Sequence, residues 1–136
     1  QAAPKAITYT LEGCPQTAGV AARVFKQEGA NNIEQRIGNF DDTLKPLIDN
    51  LPRLDFVYVD GNHQKDATIR YFEWCLPKMH ENTLLIFDDI YWSEGMKEAW
   101  AEIKAHPQVT VTIDLFWIGL VYFKKGQAKE NFLIKI

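Results

Sequence analysis

The chain has 136 residues, a formal net charge of −3, 46% hydrophobic residues and 24% charged residues. That composition is ordinary for one globular domain with a substantial core, and neither the slight acidic excess nor any basic stripe points to a nucleic-acid partner. No apolar run approaches the roughly 20 residues that span a bilayer, the start Gln1-Ala2-Ala3-Pro4-Lys5 lacks a signal-peptide pattern, and Cys14 and Cys75 form no metal-ligand spacing, so unpaired thiols in a cytoplasmic setting are expected.

Strand and helix alternate from the first residues. Ile7 to Leu11 reads as a strand ending at Glu12-Gly13. Pro15 suits the first turn of a helix, Ala18, Ala21, Ala22 and Phe25 make its expected inward face, and Gly29 stops it. Ile33 to Ile37 is a short strand, followed by Gly38-Asn39-Phe40. Asp41 or Asp42 is the expected cap of a brief helix that ends near Asn50-Leu51-Pro52. The run Leu54 to Val59 is the next strand and stops at Asp60. Lys65 to Leu76 has helical spacing, with Ile69, Phe72 and Leu76 on one face and Pro77 as the breaker. Thr83 to Phe87 is a strand closing on Asp88-Asp89. Glu94 to Ala105 reads as a helix with Met96, Trp100 and Ile103 inward. Val109 to Leu115 and Ile118 to Lys124 make an antiparallel hairpin, and Phe132 to Ile136 is a further short strand.

This order implies an α/β fold with a mostly parallel sheet, helices on both faces in three αβα layers, and a C-terminal antiparallel hairpin. A single domain over residues 1–136 is expected. Open sheets of this kind hold ligands beyond the carboxyl ends of their strands. Glu12, Asp60 and the Asp88-Asp89 pair are therefore expected on one rim of a shared parallel layer, at an enzyme-type pocket.

Each acidic strand end has a chemical reading. Glu12 offers two acceptor oxygens to the paired hydroxyls of a ribose, or else serves as a solvated charge or helix cap. In Gly38-Asn39-Phe40 the glycine permits close approach, the amide pairs with a base edge and the aromatic ring stacks on it; an ordinary turn is the alternative. Asp60, Asp88 and Asp89 gathered together repel one another unless a cation, donors or protonation compensates. A magnesium or calcium ion suits such hard oxygen ligands. His63, on the same loop as Asp60, is a candidate base for a substrate hydroxyl. Tyr91, Trp92 and Trp117 are candidate walls of an apolar acceptor pocket.

Together, Tyr9-Thr10-Leu11-Glu12-Gly13, Ile37-Gly38-Asn39-Phe40, Val57-Tyr58-Val59-Asp60-Gly61-Asn62-His63 and Leu85-Ile86-Phe87-Asp88-Asp89 resemble class I S-adenosylmethionine-dependent methyltransferases of the O-methyltransferase-like branch. The resemblance implies a Rossmann-like fold, S-adenosylmethionine as cofactor and methylation of an oxygen of a small molecule. It implies that Glu12 and Gly13 hold the ribose, that Gly38, Asn39 and Phe40 flank the adenine, and that Asp60 lies near the methionine end or a metal. His63 and Asp60 become the catalytic candidates, Asp60, Asp88 and Asp89 the metal ligands, and Tyr91 and Trp92 the acceptor contacts. A second carboxylate stands where metal-dependent members carry an amide, and His63 stands where they carry a lysine.

The resemblance also implies an opening strand and a glycine-rich turn, and nothing before Ile7 supplies them. The chain reads as the downstream part of a longer protein, with the first strand absent. Two strand edges are then left with unpaired backbone groups, at a cost on the order of 1–3 kcal/mol for each buried group. A non-catalytic Rossmann-like association module is the alternative reading, and a homo-oligomer is compatible with either.

Overall fold

The structure is a computed structural model that describes residue 3 and residues 5–135. Gln1, Ala2 and Pro4 at the start, and Ile136 at the end of the last expected strand, lie outside the described residues. The chain divides into two compact units, Gln1–Asn50 and Leu51–Ile136.

In the first unit, β1 (Thr8–Glu12) pairs in parallel with β2 (Ile33–Ile37), so that Glu12 stands opposite Ile37. Between them runs α1 (Pro15–Gln27), with Pro15 in its first turn. Gly29 follows with φ of 64°, a left-handed conformation that glycine adopts without Cβ strain. Of the four residues expected to face inward, Ala18 is fully buried, Ala21 and Phe25 are half-buried, and Ala22 is exposed. A two-stranded sheet is too narrow to cover that whole face. Helix α2 (Phe40–Asp49) follows β2. Its cap is Asn39, whose Oδ1 accepts the Asp41 N–H at 3.0 Å, so Asp41 and Asp42 lie inside the first turn instead of capping it. There their charges complement the helix dipole.

The second unit holds a five-stranded sheet with spatial order β3-β4-β6-β5-β7. Its strands are β3 (Phe56–Val59), β4 (Leu84–Asp88), β5 (Val111–Asp114), β6 (Ile118–Tyr122) and β7 (Glu130–Leu133). β3–β4 and β5–β7 are parallel, while β4–β6 and β5–β6 are antiparallel. The expected hairpin is present, with β6 inserted between β4 and β5. Helices α3 (Lys65–Cys75) and α4 (Glu94–Ala105) pack on each other and on one sheet face. Pro77 does not end α3 abruptly; the chain tightens into a 3₁₀ turn at Leu76–Lys78. That suits proline at a first-turn position, where no N–H is needed.

Alternation along β4 decides which residues meet the core. Leu85 and Phe87 are buried with Phe72, Trp100, Ile103 and Val121, while Ile86 and Asp88 point to the other face. The period of two therefore puts Tyr58, Asp60, Ile86 and Asp88 on one side of the parallel β3–β4 pair. Met96, Trp100 and Ile103 are buried as expected.

The alternation is α/β and Rossmann-like, and the strands are hydrogen-bonded in two sheets, one in each unit. Among the described residues β1 and β3 are both edge strands. Among the described residues no helix is long and apolar enough to cross a membrane.

Candidate functional site

In the first unit the parallel ladder brings Glu12, Gly13, Gly38, Asn39 and Phe40 to one strand rim, as expected. Gly38 donates its N–H to the Glu12 carbonyl at 3.0 Å. A Cβ on Gly13 would meet the Gly38 carbonyl at 3.9 Å. Gly38 itself has φ of +146°, and a Cβ there would press on Thr43 at 3.0 Å, so both geometry and space favour glycine. Glu12 Oε1 accepts the Cys14 N–H at 2.8 Å, which fixes the carboxylate at the entrance of α1. Asn39 is committed to the α2 cap through its side-chain oxygen, and Phe40 is half-buried at the first helical position.

In the second unit the carboxyl ends of β3 and β4 lie side by side, with Val59 opposite Phe87. His63 stands between two carboxylates. Its Nε2 is 3.5 Å from Asp60 Oδ1 and 3.7 Å from Asp89 Oδ2. The Trp92 ring lies 6.5 Å from the imidazole, tilted by 46°. A cavity of about 320 Å³ opens here, lined in part by His63, Lys65, Trp92 and Ser93. Lys65 is not a free base: Glu102 and Glu98 hold its ammonium at 2.6 and 2.9 Å and raise its pKa. A larger cavity of about 400 Å³ sits at the amino ends of the same strands, beside Lys78 and His80. It contains none of the expected site residues.

Asp88 is engaged on both oxygens. Tyr58 donates its hydroxyl to Oδ2 at 2.5 Å, and the Asp89 N–H donates to Oδ1 at 2.9 Å. The bond to Asp88, with some desolvation, pushes the Tyr58 phenol up to about 12. Asp60 and Asp89 are turned to His63. Among the described residues no three His, Cys, Asp or Glu side chains are grouped to hold a metal ion. Asp60, Asp88 and Asp89, the carboxylates expected to hold magnesium, each have a protein neighbour: His63 for Asp60 and Asp89, and Tyr58 for Asp88.

Tyr91 and Trp92 occupy the loop after β4, but they differ in exposure. Trp92 is 67% exposed. Tyr91 is half-buried, and its hydroxyl donates to Asp114 Oδ2 at 2.7 Å, a bond that raises the phenol's pKa. Trp117 is exposed in the β5–β6 turn and meets Phe116 edge-on at 4.9 Å.

Among the described residues, the non-glycine residues with positive φ are Asn62 (57°), Asp89 (54°) and Phe116 (73°). All three lie in turns on the same rim of the second unit. Strained backbone of this kind gathers at functional sites. The sequence reading missed Tyr58, Asp114 and Phe116. Tyr58 was within reach of it: in a parallel β3–β4 pair, residues 58 and 88 fall on one face, two positions out of register.

The methyltransferase-domain family model matches residues 3–90, a stretch containing Glu12, Gly38, Asp60, His63, Asp88 and Asp89. An uncharacterized protein, R132 of Acanthamoeba polyphaga mimivirus, is 27% identical over 88 residues, covering 62% of this chain and 40% of that protein. The S-adenosylhomocysteine-bound methyltransferase PaMTH1 of Podospora anserina is similar in structure, with a TM-score of 0.73 at 19% identity, over 89% of this chain and 62% of that one. The O-methyltransferase TomG of Streptomyces achromogenes, solved with S-adenosylmethionine and involved in tomaymycin synthesis, gives 0.72 at 20% identity, over 87% of this chain and 62% of that one. The chain thus spans under two thirds of the length of these relatives. With the family model matching well over half of its residues, the chain belongs to the methyltransferase-domain family.

Proposed function

We propose that this chain is part of an S-adenosylmethionine-dependent O-methyltransferase acting on a small molecule. The family match runs through residue 50, which supports reading both units as parts of one methyltransferase-like domain. S-adenosylmethionine is the cofactor of this reading because structurally similar proteins were solved with it or with its demethylated product. Its ribose falls to Glu12 and Gly13, and its adenine to Gly38, Asn39 and Phe40. The free thiols of Cys14 and Cys75 favour a reducing, cytoplasmic setting.

The reaction proposed is an in-line displacement. An acceptor oxygen bonds to the methyl carbon, the carbon–sulfur bond breaks, and the electron pair stays on sulfur. The acceptor's hydroxyl proton goes to Nδ1 of His63, whose Nε2–H faces Asp60 and Asp89. These carboxylates flank the ring edge at 3.5 and 3.7 Å and orient the imidazole. The engagement of Asp88 by Tyr58 favours His63, over a bound metal ion, as the group that orients the acceptor. Trp92 supplies an apolar wall beside the imidazole, and alignment contributes most of the acceleration.

The observation that carries this reading is His63 held between Asp60 and Asp89 on a parallel-strand rim, inside the family match. It is tested by labelled methyl transfer from S-adenosylmethionine to catechol, with and without His63→Ala. Loss of a general base lowers the rate about 100-fold or more, with S-adenosylhomocysteine affinity kept. An unchanged rate in His63→Ala would refute the role.

A further inference from the structure

Asp114 closes β5 and is only 4% exposed. It is also fully satisfied. Oδ2 accepts from the Tyr91 hydroxyl at 2.7 Å and from Trp100 Nε1 at 2.9 Å, and Oδ1 accepts the Phe116 N–H at 3.0 Å. The three donors come from the loop after β4, from α4 and from the β5–β6 turn. A buried carboxylate persists only where such donors replace its water.

The turn that Asp114 holds is strained. Phe116 has φ of 73°, an outlier for a bulky residue. Yet the strain does not serve the core, because Phe116 is 55% exposed and Trp117 56%. The Phe116 ring stacks on Tyr91 at 5.5 Å with an 18° interplanar angle and meets Trp117 edge-on. Ile90 donates its N–H to the Trp117 carbonyl at 3.3 Å, pinning the turn against the segment that carries Asp89 and Trp92. One carboxylate therefore sets the place of two exposed aromatic rings on the strand rim where β4 ends, against the segment that leads to Trp92.

We propose that Asp114 is a positioning residue for acceptor selectivity. By holding Tyr91 and the 115–117 turn together, it presents Phe116 and Trp117 as a rigid wall on which the flat acceptor stacks. This rests on the methyltransferase reading above. It adds the source of the wall's rigidity and places selectivity in a turn distant in sequence from His63.

Tyr91→Phe and Phe116→Gly in the full chain test it, with catechol and S-adenosylhomocysteine as calorimetric probes. Tyr91→Phe keeps the ring stack and removes one donor from Asp114. Phe116→Gly relieves the backbone strain and removes the wall. Phe116→Gly is expected to bind catechol about tenfold more weakly, the scale of a lost aromatic stack, and Tyr91→Phe to bind it more weakly than wild type through the loosened turn, with S-adenosylhomocysteine affinity unchanged in both. Phe116→Gly is further expected to melt no lower than wild type, which a purely structural role for that ring would not allow. Folded variants that bind catechol as wild type does would overturn the proposal. So would a wild-type chain that binds S-adenosylhomocysteine but no catechol. A wild-type chain that binds neither would remove the methyltransferase reading itself, and this assignment with it.

Discussion

The Tyr58 hydroxyl and Asp88 Oδ2 lie 2.5 Å apart across the β3–β4 pair. The contact joins the two acidic strand ends and uses the phenol as donor, so it exists only while Tyr58 is neutral. Because folding raises the phenol's pKa from 10.0 to about 12, its contribution is complete below the lower value and is lost as pH climbs through the upper one.

The expected behaviour of Asp88→Asn follows from that linkage. Removing the carboxylate charge lowers the Tyr58 pKa towards its ordinary value. Phenolate absorbance in a pH titration, with Tyr58→Phe as the blank, reads the shift directly. An unmoved titration in Asp88→Asn would mean that burial, not Asp88, holds the proton.

The two thiols differ sharply. Cys14 is exposed at the start of α1, and hydrogen bonds from Thr17 and Gln16 pull its pKa below the ordinary 9.0. Cys75 is buried, and desolvation pushes it up to about 12. The native chain should show one fast thiol towards a disulfide reagent and a second only on unfolding, since the thiolate is the reactive form. Because Cys14 donates its N–H to Glu12, S-adenosylhomocysteine should slow the fast thiol. Equal rates with and without it would argue against cofactor at Glu12.

Gly119 has no room for a side chain. A Cβ there would lie 2.7 Å from the Trp100 ring, in the strand inserted between β4 and β5. Gly119→Ala is expected to cost about 1–3 kcal/mol through overpacking, read from urea unfolding. Stability equal to wild type would show that Trp100 yields freely despite its bond to Asp114.

Local signals were legible in the sequence. Pro15, the apolar spacing of Glu94–Ala105 and the run Ile33–Ile37 give element positions that the structure keeps, because each depends on neighbours within a turn or two. Glu12 with Gly38, and Asp60 with His63 and Asp89, come together as the strand ends suggested. What escaped depends on distant partners. Asp114 reads as a polar strand end, and its burial is visible only when Tyr91 and Trp100 arrive from elsewhere in the chain. Asn39 reads as a ligand amide, and the helix that begins after it also uses the side-chain oxygen as its cap. The partners of the strand-end carboxylates, Tyr58, His63 and a backbone amide, also come from chain neighbours that sequence spacing does not announce.

Calorimetric titration of S-adenosylhomocysteine into wild type and Glu12→Ala tests the central claim most directly. Saturable binding by wild type is expected, weakened about tenfold or more in Glu12→Ala, or roughly 1.4 kcal/mol. Absence of binding, or binding indifferent to Glu12, would contradict it.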